Sequence, residues 1–85
     1  MMVNKDKPQL TLDQPATYQI KVPGELDENW PDWAGEMEVM VESDADGLLI
    51  SSLTGTLDQA ALLGLLRRLY SLGLPLISVI CQEVI

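Results

Sequence analysis

The chain has 85 residues, of which 47% are hydrophobic, and its 13 acids against 5 bases give a formal net charge of −8 at pH 7. A chain this short buries only about 60% of its unfolded surface, so it forms one domain and has little room for a deep substrate cleft. The acidic balance argues against nucleic acid and anionic membranes as partners, because both are bound by clustered Lys and Arg.

The residue types that support catalysis and metal binding are scarce. The chain has no histidine, which removes the commonest general base and the commonest metal ligand. The single thiol, Cys81, cannot form an internal disulfide, and its apolar surroundings predict a small buried strand residue. We therefore predict a cytoplasmic protein that is not an enzyme and uses no catalytic residue, metal or cofactor. The N-terminus lacks the apolar run of a signal peptide, and Arg67-Arg68 and Pro75 interrupt the longest apolar region, so no membrane span is expected.

The chain begins with a polar segment and then a strand. Residues 1–16 are polar and contain two prolines, which predicts a flexible N-terminal arm, whereas residues 17–85 are expected to form the single domain. Residues 17–22 alternate apolar and polar side chains and are followed by Pro23-Gly24, as expected for a strand that ends in a turn.

A second and a third strand follow, joined by a turn. Residues 36–42 alternate, with glutamates on one face, where Met40 is the exception, and apolar side chains on the other. Asp46-Gly47 then precedes the strand pattern of residues 48–53, and an Asp-Gly pair between two strand patterns is a strong hairpin signal. The second and third strands are therefore predicted to pair antiparallel. The acids within residues 42–47 resemble the start of a calcium-binding loop. However, Leu53 occupies the position where that loop needs a glutamate, so we predict a turn.

The helix has clear start and stop signals. Thr56 and Gln59 fit a capping box with Thr56 as the N-cap, and Gly73 followed by Pro75 marks the C-terminus. Apolar residues at helical spacing predict the buried stripe: Ala61, Leu62, Leu65, Leu66, Leu69 and Leu72. The helix is thus predicted to pack one face on the sheet.

These elements predict an α+β fold with the order β-β-β-α-β. Residues 76–81 form the last strand, and their nearly unbroken apolar character predicts a central position or cover on both faces. A helix that returns the chain makes the fourth strand parallel to the third. We expect a four-stranded mixed sheet in the order 4-1-2-3, with one helix packed on one face.

Two tryptophans lie in the polar connection between the first two strands. Trp30 and Trp33 are accompanied by three acids, Asp27, Glu28 and Asp32. In one interpretation the indoles cover the open end of the core. In the other they are candidate contacts for a protein partner or for a cationic, partly apolar ligand, since a cation is attracted to an aromatic face.

Several apolar side chains lie outside the predicted core, which suggests self-association. Leu63 and Tyr70 lie on a second flank of the helix, and Met40 lies on the otherwise acidic outer face of the second strand. Since one sheet cannot cover both helix flanks, we predict a homodimer with these three residues as candidate contacts. The acids between residues 22 and 66 form either a solvated face or a surface for a basic partner.

Three motifs carry a family resemblance: Gly24-x-Leu-x-x-x-Trp30-x-x-Trp33, Asp58-Gln-Ala-Ala-Leu-x-Gly-Leu-Leu, and Leu72-Gly-Leu-Pro-Leu-x-Ser-Val79. They resemble a family of short bacterial proteins that are generally labelled hypothetical, over roughly residues 17–80. The resemblance implies no reaction, cofactor or catalytic residue. Our leading hypothesis is a small non-enzymatic interaction or regulatory module that is dimeric; the alternative is a binder of a cationic ligand at Trp30 and Trp33.

Overall fold

A computed structural model describes residues 9–26 and 37–84. These residues form four strands and one helix: β1 (Ala16–Pro23), β2 (Glu38–Ser43), β3 (Leu49–Leu57), α1 (Gln59–Ser71) and β4 (Ser78–Val84). The α+β class, the number of elements and their order along the chain are as predicted.

The sheet has the order β2-β3-β1-β4, and its three pairings are all antiparallel. Two neighbours in the predicted order 4-1-2-3 are correct, because β4 lies beside β1 and β2 lies beside β3. The two strands of the hairpin have exchanged places relative to the prediction, however, so that β3 and not β2 pairs with β1. The third and fourth strands do run in the same direction, but they lie on either side of β1. The predicted pairing of β1 with β2 and the predicted mixed sheet are therefore wrong.

Burial gives the physical reason for this order. Ser51, Ser52 and Leu53 of β3 are almost completely buried, whereas β2 is mostly exposed and carries Glu38 and Glu42. A strand with charged side chains and little buried surface is suited to the edge of a sheet. The more apolar strand of the hairpin therefore takes the central place next to β1.

The two faces of the sheet differ in character. Ile20 lies opposite Leu53 on one side and Val79 on the other, and this face carries the core. The opposite, open face carries residues such as Lys21, which lies opposite Ser52. The core combines one face of β1 and one leucine of β3 with three leucines of the helix: Ala16, Tyr18, Ile20, Val22, Leu53, Leu62, Leu65 and Leu69.

The helix begins two residues later than predicted. Asp58 is the N-cap, and its side chain accepts a hydrogen bond of 2.8 Å from the backbone N–H of Ala61. Thr56 belongs to β3, where it lies opposite Thr17 with 3.3 Å between the two hydroxyl oxygens. Thr56 was a wrong choice of N-cap because sheet pairing extends through Leu57.

We expect Asp58→Ala to lower the free energy of unfolding by about 0.5–2 kcal/mol, because the Ala61 N–H loses its acceptor. Asp58→Asn retains a side-chain oxygen and should keep most of the stability. The check is urea denaturation together with hydrogen exchange of the Ala61 amide. Thr56→Ala is the matched control, and faster exchange at Ala61 in that variant would contradict the assignment of Asp58.

The helix ends where the sequence predicts. Gly73 has a φ of +77°, a conformation that glycine adopts without strain. Its N–H donates to the carbonyl of Tyr70 at 2.9 Å, and the N–H of Leu74 donates to the carbonyl of Leu69 at 3.0 Å. This pair of bonds is a Schellman motif, and both Leu69 and the partly buried Leu74 belong to the core.

The buried stripe of the helix is narrower than predicted. Leu62, Leu65 and Leu69 are buried, but Ala61 and Leu72 are exposed. One helix covers only the middle of a four-stranded sheet, so the flanks of the helix and the outer strands remain open. The N-terminal segment adds one contact, since the Leu12 carbonyl accepts a bond of 3.2 Å from the Gln59 N–H.

Strand β4 is an edge strand, which corrects two predictions. Its side chains are mostly exposed, and Cys81 is an exposed free thiol, not a buried strand residue. The run of apolar residues suggested a central strand, but the helix does not extend over β4. Thr17 lies opposite Glu83 and Tyr18 opposite Cys81, so Gln82 is an extra residue that forms a bulge.

Candidate interaction surface

The predicted aromatic site lies outside the described residues. This applies to all five of its members: Asp27, Glu28, Trp30, Asp32 and Trp33. Their role in binding a partner or a cationic ligand therefore stays a prediction. The described residues on either side of this segment, Leu26 and Met37, both pack against the core.

A buried serine fixes the chain where this segment begins. Ser51 is fully buried on the core face, opposite Val22. Its hydroxyl donates to the Gly24 carbonyl at 2.7 Å and accepts from the Leu26 N–H at 3.0 Å. Both bonds connect β3 to the chain after β1, which explains why a polar side chain is buried here. This role could not be predicted from the sequence, since an Ile-Ser-Ser-Leu run does not show which serine faces the core.

The three predicted dimer contacts are exposed, but they do not form one surface. Leu63 and Tyr70 are 55% and 85% exposed on α1, and Met40 is 67% exposed on β2. Met40 lies opposite Ser52, which lies opposite Lys21, so it belongs to the open face of the sheet. The helix packs on the other face. Met40 and the helix flank therefore cannot contact the same region of a partner.

The open face around Met40 is polar and acidic. The Lys21 ammonium lies 3.0 Å from Glu42 Oε1, and the Ser52 hydroxyl donates to the same oxygen at 3.2 Å. Lys21 and Glu42 are 31% and 49% exposed, so water screens their attraction and the pair contributes little to stability. The hydrogen bonds from Lys21 and Ser52, together with the Lys21 charge, lower the pKa of Glu42 below its usual value of 4.5.

This shift predicts a pH dependence of stability. Because the folded-state pKa of Glu42 is below 4.5, its contribution is present above that pH and is lost as the pH falls through the folded-state pKa. Urea midpoints at pH 7 and pH 3 should therefore differ less in Glu42→Gln than in the wild-type protein. Glu38→Gln is the control, because it removes a carboxylate from the same strand but keeps the Lys21–Glu42 pair. Equal pH dependence in the wild type and Glu42→Gln would contradict the prediction.

The acids of the hairpin have a structural role. Asp44 Oδ1 accepts from the N–H groups of Asp46 and Leu48, both at 2.9 Å, and the Gly47 N–H donates to the Asp44 carbonyl at 3.0 Å. Gly47 has a φ of +79°, as the residue after such a turn often requires. Residues that resembled the start of a calcium-binding loop thus build the turn. Residues 9–26 and 37–84 contain no group of three His, Cys, Asp or Glu that could hold a metal ion.

One long stretch of the chain is free of acids. Residues 59–82, between Asp58 and Glu83, contain no Asp or Glu but include Arg67 and Arg68. Much of the exposed apolar surface of the described residues lies in this stretch: Leu63, Tyr70, Leu72, Leu76, Ile77, Val79 and Ile80. We call these seven side chains the acid-free surface. Its last four members were predicted to lie within a covered strand, and their own sequence does not distinguish an edge strand from a central one.

One helix on one face of an antiparallel four-stranded sheet defines a small α+β domain. The chain belongs to the family described as a domain of unknown function (DUF8691), whose model matches residues 17–80. This agrees with the resemblance to an uncharacterised family. Comparison with curated proteins and with solved structures gives no match. Among the described residues, no helix has the length and apolar character needed to cross a membrane.

Proposed function

We propose that the protein is a small non-enzymatic interaction module that works as a homodimer. The observation that supports this is the acid-free surface, where Val79 is 40% exposed and Ile80 is 47% exposed. Exposed apolar side chains in such number on a small domain are typical of an interaction site. Two copies of the same surface, related by a two-fold axis, would remove these side chains from water.

The distribution of charge also favours a dimer contact at the acid-free surface. Each chain carries a net charge of −8, so two copies repel one another at low ionic strength. The repulsion is smallest where acids are absent, which is the stretch of residues 59–82. A contact through β2 and the hairpin turn would bring Glu38, Asp44 and Asp46 of both copies together.

Sedimentation equilibrium from low to high micromolar concentration tests the proposal. The expected result is a mass that rises from 9.4 kDa towards twice that value. Added salt should strengthen the dimer, because screening over about 10 Å at 0.1 M weakens repulsion between the two acidic chains. A mass that stays near 9.4 kDa at every concentration and salt level would overturn the proposal.

A further inference from the structure

We propose that the dimer forms by antiparallel pairing of β4 with β4 of a second copy. This inference rests on the proposed function and identifies the contact within the acid-free surface. Two four-stranded sheets would then join into one sheet of twice the width. The inference depends on three properties of β4: its unpaired edge, its exposed apolar side chains and its lack of charge over residues 78–82.

The first property is the position of β4 in the sheet. Within the described residues β4 pairs only with β1, so the backbone groups on its outer edge have no strand partner. Such an edge is a template for pairing with another strand. A copy of β4 in the opposite direction supplies the matching N–H and C=O groups, because antiparallel pairing of identical strands obeys two-fold symmetry.

The second property is the side chains of β4. Val79 lies opposite Ile20 on the face that carries α1, whereas Ile80 lies opposite Gln19 on the open face. They are 40% and 47% exposed. Leu76 and Ile77, just before the strand, are 45% and 51% exposed. Pairing at this edge would therefore bury apolar side chains on both faces of the sheet, and cross-strand apolar pairs stabilise such contacts.

The third property is charge, which separates the two edges of the sheet. On β2, Glu38 and Glu42 flank Met40 on the open face, so a second copy of β2 would bring like charges together. Edge strands are commonly protected in this way. On β4, residues 78–82 carry no charged side chain. A second copy can therefore add to β4 but is repelled from β2.

The two-fold axis and the bulge limit the geometry of pairing. An axis perpendicular to the sheet keeps side chains of the same face together, so both copies of α1 lie on one side of the joined sheet. The bulge at Gln82 bends the end of the strand. Regular pairing is therefore confined to the part of β4 before Gln82, close to Val79 and Ile80, and Glu83 stays outside it.

The test compares one added lysine at each edge of the sheet. Ile80→Lys places a charge on the open face of β4, and Met40→Lys places the same charge on the open face of β2. Sedimentation equilibrium should show dimerisation weakened by at least about tenfold in Ile80→Lys, because a lysine on an edge strand opposes pairing. It should be unchanged or slightly stronger in Met40→Lys. Tyr70→Lys adds the charge to the helix flank and is expected to keep the dimer.

Circular dichroism first establishes that each variant is folded. A measurement on the wild type covers the case in which Ile80→Lys does not fold. Hydrogen exchange of the β4 amides should slow when the protein concentration rises through the dimerisation midpoint, whereas exchange of the β2 amides should not change. Loss of the dimer in Tyr70→Lys but not in Ile80→Lys, or no change in β4 exchange, would overturn β4 pairing and leave the proposed homodimer intact. A wild-type monomer at all concentrations would overturn both.

Discussion

Leu69→Ala is expected to lower the free energy of unfolding by about 2–5 kcal/mol, the range for removing a large aliphatic side chain from a packed core. Leu69 is fully buried, and it is the helix residue whose carbonyl accepts the Leu74 N–H. Alanine is the best helix former, so the substitution leaves the helix intact and creates a cavity. Small domains are stable by only about 5–15 kcal/mol, so this loss should be clear in urea denaturation.

Leu63→Ala is the matched control, since it makes the same change on the same helix. Leu63 is 55% exposed, so its replacement should alter stability by no more than about 0.5 kcal/mol. Both variants should be measured at a concentration where the monomer predominates, because Leu63 belongs to the acid-free surface. Equal losses in the two variants would show that the core does not lie on the Leu69 side of the helix.

The features that the sequence predicted well depend on local hydrogen bonds. Gly73 ends the helix, and Asp46-Gly47 closes the hairpin, because each glycine adopts a positive φ that the motif requires. The N-cap was a closer choice, since Thr56 and Asp58 are both good capping residues. Pairing of Thr56 with Thr17 in the sheet decided between them, and pairing across 39 residues is not visible in a capping motif.

The features that could not be predicted depend on contacts between distant parts of the chain. Alternation correctly placed Met40 with the acids of the open face, but it does not say which strand of the hairpin lies beside β1. That depends on how much surface each strand buries against the helix. Cys81 and Ile80 have the composition of a covered strand, but the helix does not extend over Cys81, and Ile80 lies on the open face of the sheet.

Only part of the candidate site could be predicted, because the rest of it also depends on contacts between distant parts of the chain. Helical spacing correctly placed Leu63 and Tyr70 outside the core. Alternation placed Met40 on the outer face of the sheet, away from the helix, so Met40 and the helix flank could not form one contact surface. Val79 and Ile80 were missed as surface residues because their exposure follows from strand order.

Gly55→Ala is expected to lower the free energy of unfolding by about 1–3 kcal/mol, the usual cost of adding a group to a filled site. Gly55 lies opposite Tyr18 on the face of the sheet that carries α1. A Cβ there would overlap Met37 Sδ and lie 3.3 Å from Met37 Cγ and 3.4 Å from Met37 Cα. The side chain of Met37 must therefore move, and its contacts with the core are disturbed.

Gly64→Ala should have the opposite effect and raise the free energy of unfolding. Gly64 is an exposed residue within α1, and a Cβ there meets nothing within 4 Å. Alanine should raise stability by about 0.5–1 kcal/mol, because glycine loses more backbone entropy in a helix. Urea denaturation of both glycine variants provides the check.

The role of Met37 is tested by urea denaturation of Met37→Ala with and without Gly55→Ala. If Met37 causes the loss of stability in Gly55→Ala, that loss should be smaller once Met37 is truncated, since the effects of residues in contact are not additive. An undiminished cost would mean that β3 needs glycine for a reason other than Met37.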